Sequence, residues 1–125
     1  MKTTYEFFYS VFEENFTWCG NHVLKYSDEY LEGIIYEEYM FSYIDFLEWN
    51  RTNFLEAGFI TQEIADKMKL IYELSDEMFS PEQEFSANFV RTSPTWKKIF
   101  DLMDELRQEM DYIKPYTPYG ITPDD

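Results

Sequence analysis

Apolar positions recur three and four residues apart through most of this chain, the spacing of buried helix faces. The pattern predicts an all-α fold: a compact bundle of four to six helices around one long helix with a kink, followed by an irregular tail. The first helix is expected over residues 4–17. There Tyr5, Phe8, Phe12 and Phe16 share a face, with Tyr9 alongside, while Glu6, Glu13 and Glu14 stay in water. Thr3 and Glu6 have the spacing of a capping box, and Gly20-Asn21 supplies a stop. The connector that follows, residues 19–27, reads as short and small, with His22 at its surface.

Residues 26–50, YSDEYLEGIIYEEYMFSYIDFLEWN, organise the rest. Their apolar positions fall almost all round a helical wheel, which predicts the central, largely buried helix. Ser27 is a good N-cap, with Asp28 and Glu29 in the first turn where the helix dipole favours negative charge. The helical pattern continues to Ala57 and stops at Gly58. A kink is expected around Asn50-Arg51-Thr52-Asn53, four weak helix formers that compete for backbone hydrogen bonds.

Thr61 opens a third helix, with Ile60 placed to staple onto Ala65 and an apolar stripe through Ile64, Met68, Ile71 and Met78. Ser80-Pro81-Glu82-Gln83 resembles a helix start with Pro at its first position, so a short helix or turn is expected there, and then a loop. Ser93-Pro94 opens the last helix, expected to reach about Lys114. Its residues Trp96, Ile99, Met103, Leu106, Met110 and Ile113 form a packing seam, while pairs such as Lys97 and Asp101 lie on a solvated face. Residues 1–114 thus read as a single helical domain. Residues 115–125, PYTPYGITPDD, read as a Pro-rich tail, extended or disordered.

Composition changes this picture in one respect, which is charge. Ten basic and twenty-five acidic residues leave the 125-residue chain at −15. Such a charge disfavours nucleic acid and anionic membrane as direct partners and attracts basic proteins at long range. Residues 1–60 hold eleven of the acids and three of the bases, so the first half is the more one-sided. Cys19 is the single cysteine, which excludes an internal disulfide and suits a reducing compartment. The N-terminal stretch lacks the apolar run and small-residue cleavage site of a signal peptide. No stretch approaches the roughly 18 uninterrupted apolar residues of a membrane span. A cytoplasmic location is expected.

Enzyme chemistry finds little to work with. The four glycines stand alone at positions 20, 33, 58 and 120, so no Gly-rich phosphate loop exists. A catalytic dyad would have to use His22, the sole imidazole, with Cys19 on a short connector and no orienting framework. The same two residues have metal-site spacing, but no second Cys or His completes a zinc site, and no window fits a calcium loop. With twenty-five acids present, an adjacent pair such as Glu37-Glu38 arises by chance. No catalytic residue, metal or cofactor is expected. What the composition does favour is binding, because eleven Tyr and three Trp suit interfaces where one end of a side chain is apolar and the other wet.

The candidate binding residues come from the central stretch, which has seven acids, eight aromatics and no Lys or Arg. At about 100° per residue, Glu37, Glu38, Asp45 and Glu48 fall in one sector, with Phe41 and Tyr30 between them. An acidic, aromatic strip on a core helix would suit a basic protein partner. The plainer alternative is that these acids only solubilise a very apolar helix.

Residues 54–113 carry a resemblance. A helix ends in Leu55-Glu56-Ala57-Gly58, Phe59-Ile60-Thr61 opens another, and after an irregular link Ser93-Pro94-Thr95-Trp96 opens an amphipathic final helix. This order of helix breaks resembles small helical immunity proteins of bacterial toxin systems, including those of contact-dependent growth inhibition. The resemblance implies a protein that binds and neutralises one cognate toxin domain as a monomer in a one-to-one complex. A basic nuclease toxin would fit the charge best, covered at its active site or substrate groove. It carries over no individual residue. Two other classes stand beside it: a DNA-mimic inhibitor of a nucleic-acid-binding protein, which would need carboxylates along an elongated surface, and a helical scaffold that oligomerises through the last seam.

Overall fold

The fold is all-α, and its core lies between the two longest amphipathic helices and the central stretch. The computed structural model describes residues 3–18, 20–39, 48–84, 86–114, 116–117 and 120–121. Among them are α1 (Tyr5–Trp18), a 3-10 turn (Asn21–Lys25), α2 (Asp28–Gly33), α3 (Arg51–Glu56), α4 (Gln62–Met78), α5 (Ala87–Thr92) and α6 (Pro94–Glu109). Two short strands follow, β1 (Tyr116–Thr117) and β2 (Gly120–Ile121), paired antiparallel, with β1 beside α1. The tail is thus extended in this part.

Helix α4 packs along α6. Their facing stripes, Ile64, Met68 and Ile71 on one and Trp96, Ile99, Met103 and Leu106 on the other, are buried. Leu31, Ile34, Ile35 and Tyr39 of the central stretch join the same core, as its apolar wheel predicts. Phe8 of α1 closes one end, edge-on to Phe54 at 4.9 Å and stacked on Phe59 at 5.1 Å. Around Trp96 the rings of Tyr39, Phe79 and Phe100 lie 5.7 to 6.0 Å away, and the Trp96 indole nitrogen is buried with no hydrogen-bond partner.

Local signals set most of the element ends. The hydroxyls of Ser27, Thr61 and Ser93 accept from the amides of Tyr30, Ile64 and Trp96, so each caps the helix expected of it. Helix α3 ends in a Schellman arrangement. Gly58, at φ 81°, donates to Leu55 at 3.1 Å, and Phe59 donates to Phe54 at 3.0 Å.

Four expectations are corrected. The cap of α1 is Thr4, whose hydroxyl accepts from Phe7 at 3.1 Å, and not Thr3 in a box with Glu6. The link after α4 forms a turn at Ser80–Gln83, and its short helix comes later, at α5, capped by Ser86. Pro81-Glu82-Gln83-Glu84 has no apolar side chain to bury, whereas α5 buries Ala87 and Val90. Helix α6 ends at Glu109, short of Lys114, because tertiary bonds draw the chain away. Tyr112 donates to the Phe59 carbonyl at 2.8 Å, and Lys114 donates to the Tyr5 hydroxyl at 3.0 Å. The connector is no passive link either. Val23 is fully buried, and the His22 ring is half-enclosed instead of lying on the surface.

Of the long helix expected over residues 27–57, the described residues form helical segments whose pitch changes. After α2 the chain widens into π-type turns over residues 34–39, and a turn at Trp49-Asn50 precedes α3. That break lies at the edge of the expected kink.

Candidate partner-binding groove

Two acids at the start of the central stretch fix α2 in place and set which side of it faces out. The Asp28 carboxylate pairs with Arg91 of α5, and Glu32 accepts from the Ala87 amide at 2.9 Å. Leu31, Ile34 and Ile35 point into the core. The opposite side carries Glu29, Tyr30 and Gly33, and then Glu37 and Glu38 from the wider turns. With Ser27 and Ile34 these residues line an open groove of about 480 Å³. A Cβ added at Gly33 would meet nothing within 4 Å, so that residue leaves the middle of the groove empty.

One rim of the groove is aromatic. Tyr30, 51% exposed, meets the Tyr26 ring at 4.9 Å and 88°, edge to face. The Lys25 ammonium sits 5.5 Å from the centre of the Tyr26 ring, the neighbour of Tyr30 outside the groove. Among the described residues, Glu29, Glu37 and Glu38 form no ion pair. All three carboxylates are exposed to solvent.

The sequence-derived candidates separate into three groups. Tyr30, Glu37 and Glu38 come together in the groove. Glu48 belongs elsewhere, since its carboxylate accepts from Arg51 Nε at 3.0 Å, with the two side chains only 15% and 20% exposed. Phe41 and Asp45 lie outside the described residues. A strip drawn at constant pitch does not survive the π-type turns, where each turn takes in an extra residue. Sequence reasoning missed Glu29, Gly33 and Ser27 as groove residues, having assigned Glu29 to the helix dipole. A signal was present: Glu29, Gly33 and Glu37 are spaced i, i+4, i+8 from a well-defined cap.

A second polar cluster joins the connector to α6. The Asn21 side chain donates to Asp101 at 2.9 Å and to Asp104 at 2.7 Å, and Lys97 donates to both Asn21 and Asp101. Hydrogen bonds from Lys97 and Asn21 hold the Asp101 carboxyl below the usual carboxylate range. His22 Nε2 lies 3.0 Å from the Thr17 carbonyl, which makes it the protonated nitrogen, while Nδ1 is enclosed with no hydrogen-bond partner. Cys19 lies outside the described residues. Among those described, no three His, Cys, Asp or Glu side chains are placed to hold a metal ion. The polar bonds of this cluster are satisfied mostly within itself, so it reads as a clasp, whereas the groove is open and uncompensated.

Among the described residues no helix is long and apolar enough to cross a membrane. Comparison with protein-family models, with curated proteins and with solved structures finds no match to this chain.

Proposed function

We propose that this protein is a small acidic immunity protein, which binds and neutralises one basic toxin domain in the cytoplasm of the cell that makes the toxin. The observation that carries the reading is the groove beside α2. Three carboxylates with no ion pair among the described residues stand there next to an exposed tyrosine, on the more one-sidedly acidic half of the chain. In this reading the protein is a binder and not an enzyme. Its net charge of −15 steers a basic domain into encounter, and the groove fixes the docked orientation. Bound there, the protein covers the toxin's active site or the channel through which its substrate enters.

The test is co-expression with the basic C-terminal domain of any large secreted protein encoded beside it. Rescue of growth and a one-to-one complex on size exclusion are expected; a domain that stays toxic and elutes alone sinks the reading. The double variant Glu37→Lys/Glu38→Lys should slow association about tenfold at low salt, with a smaller effect at high salt and an unchanged melting temperature. Glu48→Lys should behave differently, lowering the melting temperature by removing the partner of Arg51.

A further inference from the structure

The groove is more selective than an acidic patch, because its walls differ in chemistry. Gly33 and Ile34 give an apolar floor, and Ile34 is only 2% exposed. Tyr30 gives a ring face braced from behind by Tyr26. Glu29, Glu37 and Glu38 give the charge. An anion is repelled by such a site, and a purely apolar side chain would strand the three carboxylates. The occupant that uses every wall has a methylene stem, a flat cationic head and several donors.

We propose that the groove receives an arginine side chain from a basic protein segment. The stem lies over Gly33 and Ile34, the guanidinium stacks on Tyr30, and the carboxylates of Glu29 and Glu37 accept its N–H groups. Glu38 stands at the rim for a second basic side chain of the same segment. This rests on the reading of the chain as a binder of a basic protein, and it specifies which side chain of that partner enters. Arginine is preferred to lysine on physical grounds. Its planar head stacks on an aromatic face, is more weakly hydrated than an ammonium, and offers five donors in a fixed fork. A volume of about 480 Å³ lies within the roughly 300–1,000 Å³ typical of ligand pockets, ample for one such side chain and the start of another. Lys25 over Tyr26 shows a cation held at the ring that adjoins Tyr30.

The experiment is an amide-resolved NMR titration of the full chain with two probes, acetyl-Arg-Arg-Arg-amide and its all-lysine counterpart. The arginine peptide should shift the amides of Glu29, Tyr30, Gly33, Glu37 and Glu38 first, and the lysine peptide should bind at least about threefold more weakly. Gly33→Trp starts from a Cβ with nothing within 4 Å and fills the groove with its ring, so it should abolish the response while the circular dichroism and melting temperature hold. Gly33→Ala should bind almost as the parent does. Tyr30→Ala, at a half-exposed position, should weaken the arginine peptide roughly two- to thirtyfold and erase the preference over lysine. Shifts spread evenly over the acidic surface, equal affinity for the two peptides, or full binding by Gly33→Trp would each overturn the proposal. The two levels separate cleanly. A toxin domain whose binding survives Gly33→Trp but not Glu37→Lys/Glu38→Lys removes the arginine site and leaves the immunity reading standing. A groove that takes the arginine peptide in a chain that ignores the toxin does the reverse.

Discussion

Gly20 and Gly58 both hold positive φ, at 139° and 81°, but their surroundings differ. A Cβ at Gly58 meets nothing within 4 Å, so Gly58→Ala should cost only the backbone strain, about 1–2 kcal/mol. At Gly20 the added carbon would stand 2.7 Å from Asp104 Oδ1 and 3.0 Å from His22 Nδ1. Gly20→Ala should therefore be the more destabilising of the two, since strain and a clash with the clasp add together. Urea unfolding of both variants, compared by midpoint at equal slope, checks the order. The contrast also shows what a sequence carries at this scale. Gly58 is legible as a helix stop because its neighbours in the chain define the turn. Gly20 is legible in the same way as part of a stop, but the close approach of Asp104 from the last helix adds a requirement that no local pattern announces.

Between elements, the most telling single bond is the one from Tyr39 to Ser75, which joins the central stretch to α4 in a fully buried setting. Tyr39→Phe removes only the hydroxyl and should cost about 1–2 kcal/mol. Ser75→Ala removes one hydrogen-bond partner of the buried Tyr39 hydroxyl and should cost about 1–2 kcal/mol. The double variant should lose clearly less than the sum, because both single changes break the same bond; additive losses on chemical denaturation would show that the pair is not coupled. Helix starts at Ser27, Thr61 and Ser93 were legible because a cap is decided within four residues. The π-type turns over residues 34–39 were not, since nothing in the apolar wheel distinguishes them from an α-helix. Of the six candidates in the strip, Phe41 and Asp45 lie outside the described residues, and of the other four only Glu48 falls away from the groove. Tyr30 lies just before the widened turns and Glu37 and Glu38 within them, and the three come together, while the Glu48 carboxylate turns to Arg51.

For the molecule as a whole, charge is the quantity read directly from the sequence, and it has a cost. At −15 the folded chain repels itself, and few of its acids find cations among the described residues. Raising ionic strength from about 0.01 M to 0.1 M shortens the screening length from roughly 30 Å to 10 Å, which relieves that repulsion while weakening only exposed ion pairs. The melting temperature should rise with sodium chloride over this range, measured by circular dichroism near neutral pH. A fall would mean that the ion pairs outweigh the repulsion. The fold class was equally legible, because amphipathic periodicity is a whole-chain property. The position of the groove was only partly so, since it depends on how α2 is tied to α5 through Asp28, Glu32, Arg91 and Ala87.

The tie between the two ends of the fold has a consequence for how the protein is made. Tyr5 bonds to both backbone groups of Lys114, and Asn21 bonds to Asp101 and Asp104, so the first helix and its connector are completed by the last residues of the domain. A ribosome adds about 5–20 residues per second, so α1 waits on the order of ten seconds before the segment that closes over it emerges. Over that interval the ring of Phe8 has none of Phe54 or Phe59 to cover it until their own stretch is translated. Eleven acids against three bases along the first sixty residues give that emerging segment a net negative charge, which opposes association of its uncovered aromatic surface.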